Sequence, residues 1–539
     1  GGVVSSLTLG GLAQRMIDLF WPIVSAGAGF RQPDLPPIFL NLETAQYYMA
    51  HLVEPLLKEG FFDSVKIDRN RLFSQVLDNL NKAALVGFPV DEIGPRLKEA
   101  WMGEPGQLSV YDDVQECANL FRRFCLDHNL LDYSLQVELF RSQLWPVELC
   151  RSYLAQSYRH LIFDNLEEDT PFTLDILSEW LPKFESALLI YDWRGGFRRF
   201  LGADPQTTME IARQCQERLV FDSGLVMSEP VQALAAGLEA VLQKKDPRVE
   251  PGGKSPRLLV KPKLRQALAY QQHVYYPEML DWVTDQVAGL VHQEGYRPSE
   301  IVVLAPYLSD SLRFSLLKRL EARGVPVRSH RPSRALREEP ATRCLLTLSG
   351  LAYPEWQISI NKTDVAYALM QAIESLDLVR AQLLAEIVFR SRNGLPVLTS
   401  FDQIKSEIQN RITYRVGERY EALRQWLATR REPPGEFDHF LSRMFGEILS
   451  QPGYGFHNDL VAAEVTANLI ESVQKFRWVA GDTLAEEGIP LGREYLQMVA
   501  QGVIAAQYVR SWTEQPDDAV LIAPAFTFLM TNHPVSVQF

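Results

Sequence analysis

Two acidic clusters define the chemistry open to this chain. The first closes the run Arg159-His160-Leu161-Ile162-Phe163-Asp164-Asn165-Leu166-Glu167-Glu168-Asp169-Thr170-Pro171, in which a short apolar stretch leads into carboxylates. The second begins at Ala187-Leu188-Leu189-Ile190-Tyr191, reaches Asp192, passes a Gly195-Gly196 turn and the bases Arg198 and Arg199, and ends at Gly202-Ala203-Asp204. An apolar strand that ends in acids delivers them to the carboxyl edge of a parallel sheet. Nucleotide-binding α/β proteins hold Mg²⁺ and orient an attacking water there.

Together the two stretches resemble motifs II and III of the superfamily 1 DNA helicases of the UvrD, PcrA and Rep type. The first motif of that family reads Asp-Glu-Phe-Gln-Asp and the second Gly-Asp-x-x-Gln-Ser-Ile-Tyr-x-Phe-Arg-Gly-Ala-Asp. Laid on the second without gaps, the chain keeps Asp192, Phe200, Gly202, Ala203 and Asp204. The resemblance makes Asp164 the Mg²⁺ ligand, Asp164 and Asp192 the remnants of the metal and phosphate site, and Glu168 the better placed catalytic base, ahead of Glu167.

The departures fall on the chemistry. Asn165 takes the place of the catalytic Glu, and an amide cannot accept a proton from water. Gly195 replaces the Gln that senses the γ-phosphate, and Arg198 replaces the aromatic on which a base stacks. Thr8-Leu9-Gly10-Gly11-Leu12-Ala13 is similar to a segment that touches single-stranded DNA, with Gly10 in place of its His. Leu131-Asp132-Tyr133-Ser134 resembles the Asp-Phe element before motif II. Ile301 to Pro306, with Ser311 and Gly324-Val325-Pro326-Val327, resembles motif IV, with Pro306 where the family carries Arg. Ala519 to Phe526 falls where motif V is due and keeps only an apolar strand. The pattern is similar to AddB-type subunits, helicase-like in architecture without an intact motor. Neither a Gly-x-x-x-x-Gly-Lys-Ser/Thr loop nor motif VI is found, which implies a fragment of a longer protein.

The implied fold is α/β, with two RecA-like parallel-sheet motor domains of P-loop NTPase type, each carrying a large helical insertion. The expected divisions are 1–39 for part of the first motor domain, 40–130 for its helical insertion and 131–243 for its return. A linker over 244–258 follows, rich in Pro, Gly and charge. The second motor domain takes 259–344, its helical insertion 345–508 and its truncated return 509–539. Periodicity supplies the elements: helices over Leu12 to Val24, Leu174 to Trp180, Tyr276 to His292, Ser311 to Arg323, Ala366 to Leu378, Arg380 to Arg390 and Tyr420 to Ala428, and strands around Leu161, Leu188, Ile301 to Leu304 and Val520 to Ile522. Strand signals nearly vanish between Leu345 and Tyr508. Asp132 and Glu138 read as solvated helix residues.

A chain of 539 residues with 46% hydrophobic and 22% charged side chains is folded, and its length calls for roughly three to four domain-sized units. Its apolar runs are too short to span a bilayer. Cys117, Cys125, Cys150, Cys215 and Cys344 lack metal-ligand spacing and read as buried, reduced thiols of a cytoplasmic protein. The net charge of −13 opposes a general affinity for nucleic acid, so local charge decides. Lys318, Arg319, Arg323, Arg328, Arg331, Arg334 and Arg337 form the densest basic island, facing only Glu321 nearby in sequence. With Thr8, the residues expected to meet DNA are Arg198, Arg199, Arg328 and Arg331. ATP and Mg²⁺ follow from the resemblance alone.

The leading expectation is a helicase-like protein of recombination or repair that binds DNA, such as a single-strand/duplex junction, or a partner subunit, with its motor lost. One alternative is an active ATP-dependent 3′–5′ DNA helicase whose phosphate loop lies outside the chain. Another is a helical protein-interaction scaffold.

Overall fold

The computed structural model describes residues 4–103, 105–192, 195–221, 227–243, 267–329, 336–392, 394–429, 436–503, 518–531 and 533–539. Arg194, Arg331, Arg334 and the stretch Lys244 to Pro256 lie outside these residues. Helices dominate, accompanied by short strands: β1 (Ile38–Phe39), β2 (Leu130–Leu131), β3 (His160–Phe163), β4 (Ser186–Leu189), β5 (Ile301–Ala305), β6 (Val327–Ser329), β7 (Phe389–Arg392), β8 (Leu395–Leu398), β9 (Val520–Pro524) and β10 (Val537–Gln538). All pairings except the β7–β8 hairpin are parallel. The protein is therefore mixed α/β. It divides into one unit of Gly1–Cys215 with Ser333–Thr513 and a second of Gln216–Pro332 with Glu514–Phe539.

Side-chain caps fix the helix starts in the first unit. The Thr8 hydroxyl accepts the Gly11 N–H at 3.1 Å and opens the helix Leu9–Ala28. Asn41 and Asp68 open Leu42–Lys58 and Arg69–Val86 in the same way, each filling a backbone donor that the helix leaves unpaired. Met16, Ile17 and Val24 lie fully buried on one face of the first helix. Two two-stranded parallel sheets, β1–β2 and β3–β4, belong to this unit, and β3 leads directly into the acidic run.

Helices that the sequence assigns to two separate insertions share one hydrophobic core in this unit. Tyr47 meets Phe476 edge-on with centroids 4.9 Å apart. Tyr48 Oη donates to the Val479 carbonyl at 3.1 Å. Tyr495 Oη donates to Ser472 Oγ at 2.8 Å, and Ser472 in turn donates to Glu43 at 2.7 Å. A polar group withdrawn from water needs such a partner.

The second unit has a four-stranded parallel sheet in the order β10-β5-β9-β6. One face, through Ile301, Val303, Val520 and Ile522, packs with Leu280, Val287, Leu316 and Leu320 of the helices Tyr276–His292 and Asp310–Ala322. The other face meets Phe528 through Val302 and Ala523. Cover on both faces is what a parallel sheet requires.

Three sequence expectations are corrected here. The helix expected over Ala366 to Leu378 stops at Ala372, because Ile373 bridges to Tyr454, Ser375 has a φ of 66° and Asp377 caps a new helix, Leu378–Val388. That helix does not reach Arg390: the chain turns into the β7–β8 hairpin, with Gly394 at a φ of 80°. Asp132 is buried, accepting the N–H groups of Ser134 and Leu135 at 3.0 and 3.1 Å, and Glu138 pairs with Arg122 at 2.9 Å.

Candidate functional site

The acidic run lies at the carboxyl ends of two parallel strands. β3 pairs with β4 in the register His160 to Ser186 through Phe163 to Leu189, with the helix Pro171–Trp180 between them in sequence. Leu161, Phe163, Leu189 and Tyr191 face a small core of Leu166, Leu174, Leu177 and Ile211. Asp164, Asn165 and Asp192 are exposed beyond the strand ends.

The backbone explains why Asn stands at 165. Its φ of 54° is left-handed, a region that Asn enters more easily than Glu because its short amide can bond locally. The turn aims the following carboxylates back at the chain. Glu167, 3% exposed, accepts the N–H of Asp192 at 2.9 Å, and burial raises its carboxyl above the ordinary range while that hydrogen bond works the other way. Glu168 accepts the Arg198 N–H at 2.9 Å and lies 3.8 Å from its guanidinium. The Asp169 carbonyl accepts the Asp204 N–H at 2.9 Å, and Asp204 caps the helix Pro205–Ile211. Three consecutive acidic residues thus fasten the segment after β4 to the segment after β3.

The glycines show how close this approach is. A Cβ on Gly195 would stand 3.0 Å from Glu167 Cγ, so a Gln there would press on the Glu167 side chain and require it to shift by a few tenths of an ångström. Gly196, at a φ of 85°, would drive a Cβ to 2.5 Å from Pro205 Cγ. The same logic governs Gly10, whose Cβ would meet Tyr133 Cε2 at 2.7 Å. Gln136 donates to the Gly10 carbonyl at 2.5 Å, which joins the Thr8 segment to the element at 132–136. Burial, and then the nearby Asp169 carboxylate, raise the Tyr133 hydroxyl.

The structure therefore brings the segments around Gly10, Tyr133, Asp164, Glu168, Asp192, Arg198 and Asp204 into one neighbourhood. The Thr8 hydroxyl caps its own helix. Arg199 is exposed and helps Asp204 stay below the usual carboxylate range, an effect that burial opposes and the Thr207 hydroxyl leads. The role of Glu167 is not legible in sequence beyond its membership of the acidic run, although the Gly195-Gly196 pair signals a close approach.

Asp164 accepts the N–H of Asn165 at 3.0 Å through one oxygen. A single exposed carboxylate can serve as one ligand of a phosphate-bound Mg²⁺ but makes no site by itself. Among the described residues no group of three or more His, Cys, Asp or Glu could hold a metal ion. His160 bonds Ser186 Oγ at 2.9 Å. Cys117, Cys125, Cys150 and Cys344 are free and buried, and burial raises the Cys117 thiol to about 12.

In the second unit, folding neutralises much of the basic island. Arg319 bonds Asp281 at 2.8 Å, Arg323 bonds Asp285 at 2.7 Å, and Lys318 bonds Glu321 at 2.8 Å. Arg328 sits half-buried in β6 opposite Leu521, with its Nε lacking a hydrogen-bond partner among the described residues. No described helix is long and apolar enough to cross a membrane. The chain matches no protein-family model and no curated protein.

Proposed function

We propose that the chain is a degenerate relative of the UvrD-type helicases, acting as a DNA-binding protein in recombination or repair without a working motor. In this reading 1–39 and 131–243 correspond to one RecA-like domain, and 259–344 and 509–539 to a second. The observation that carries it is the fate of the acidic loop. The position of the catalytic Glu is a left-handed Asn165, and Glu167 and Glu168 hold the backbone N–H groups of Asp192 and Arg198. Carboxylates held in this way orient a loop and are poorly placed to take a proton from water. Asp164 and Asp192 remain as remnants of a Mg²⁺ and phosphate site, which ATP would fill weakly. Thr8, Arg198, Arg199, Arg328 and Arg331 are the candidate DNA contacts.

Binding of a labelled single-strand/duplex junction, measured beside ATP turnover in the same buffer, tests the proposal. Binding without turnover is the expected result. Sustained DNA-stimulated hydrolysis would replace it with the active-helicase reading, and absence of binding would favour a protein scaffold.

A further inference from the structure

The stretch 390–415 carries Arg390, Arg392, Lys405, Arg411 and Arg415 against only Asp402 and Glu407, a local excess of positive charge in a chain of net charge −13. All five bases are exposed. The island at 318–323 draws Asp281 and Asp285 onto its arginines, whereas none of these five side chains forms an ion pair among the described residues. Arg390 instead donates to the carbonyls of Glu386 and Phe389 at 2.9 and 3.3 Å. Those carbonyls sit at the end of the helix Leu378–Val388, where a cation is favoured, so the charge is placed without being cancelled.

The fold links the hairpin to Arg411 through Glu386, whose carbonyl takes the Arg390 guanidinium and which lines the same trough as Arg411. Arg390 and Arg392 lie two residues apart on β7, on one side of the hairpin and about 7 Å from each other. Arg411, from the helix Ser406–Ile412, lines an open trough of ≈ 520 Å³ together with Lys362, Arg380 and Glu386. Lys362 is neutralised there by Glu386 and Arg380 by Asp377, which leaves Arg411 as the uncompensated charge. Beyond it, Thr413 has a φ of 83°, and the exposed Tyr414 and Arg415 follow.

We propose that this surface, formed by the β7–β8 hairpin and the turn between the helices Ser406–Ile412 and Tyr414–Thr429, is a phosphate-backbone contact for duplex DNA. The inference rests on the nucleic-acid reading above and moves the main electrostatic contact away from the island that the sequence favours. Guanidinium groups match phosphate geometry. With Tyr414 as the one exposed aromatic of the stretch, the surface offers charge in place of a base-stacking platform, so it reads backbone rather than sequence.

The test is fluorescence anisotropy of the full chain with a fluorescein-labelled duplex, titrated at several salt concentrations. The variant R390Q/R392Q/R411Q is compared with R198Q/R199Q. All these positions are exposed, and circular dichroism checks that each variant folds. The hairpin variant is expected to bind about tenfold or more weakly, with its log–log salt slope shallower by about 0.9 for each phosphate that the variant no longer neutralises. An affinity and slope equal to wild type would overturn the inference, and if R198Q/R199Q alone weakens binding the DNA reading survives without it. Wild type failing to bind at low salt would overturn both. Polyglutamate binding as tightly as the duplex would show a general anion surface and also overturn the inference.

Discussion

Replacing Glu167 by Ala isolates what the acidic loop does. The carboxylate accepts the Asp192 N–H at 2.9 Å, and its Cγ fills the space beside Gly195. A hydrogen bond to a charged group contributes about 1.5–3 kcal/mol, and the deleted methylene about 0.8 kcal/mol more. Relief from burying a carboxylate offsets part of this, because burial raises that carboxyl. The net local loss is about 2 kcal/mol, equivalent to roughly 30-fold faster opening of the segment after β4. Hydrogen exchange read by mass spectrometry over 186–204 measures it directly. Glu167→Gln keeps an acceptor and the methylene, and should exchange within about threefold of wild type. The sign with pH follows from the raised carboxyl. Burial favours the protonated carboxyl, and this pH-linked part is fully present below the unfolded carboxyl range and lost as pH rises through the folded value, so the Gln variant compares best with wild type at neutral pH. Wild-type exchange in Glu167→Ala, or equal acceleration in both variants, would refute the claim that this residue ties the two loops together.

Gly10→His should destabilise the first unit by about 1–3 kcal/mol in urea unfolding, because its Cβ would stand 2.7 Å from the Tyr133 ring and overpacking carries that penalty. Unchanged stability would mean that Tyr133 moves aside freely. Glu43→Gln should stabilise the first unit at neutral pH by on the order of 1 kcal/mol, since burial raises the Glu43 carboxyl despite its bond from Ser472. In wild type the stability linked to the protonated carboxyl is lost as pH rises through the folded value, so the gap between the two proteins should widen as pH rises above the ordinary carboxyl range; a gap that narrows contradicts the assignment.

Local pattern made some elements legible and distance in sequence concealed others. The helix Tyr276–His292 has the bounds its apolar spacing gives, and Ile301–Ala305 extends its expected strand by one residue. The hairpin at 389–398 escaped because Arg390, Arg392 and Pro396 break the apolar alternation that marks strands, although Asn393-Gly394 is a hairpin turn signal. The neutralisation of Arg319 and Arg323 could not be read from their own stretch, since Asp281 and Asp285 lie one helix and one strand earlier. Asp132 read as solvated because an acid at a helix start usually is; here it is buried among the helices it helps to join. Nothing local foretells that Glu43 and Ser472 meet across more than four hundred residues.

The most direct test of the account is the salt dependence of binding to a single-strand/duplex junction, followed by anisotropy with the intact chain. Phosphate contacts predict that affinity falls at least about tenfold between about 50 and 200 mM salt. Binding that is absent at low salt, or indifferent to salt, would contradict a DNA-binding function.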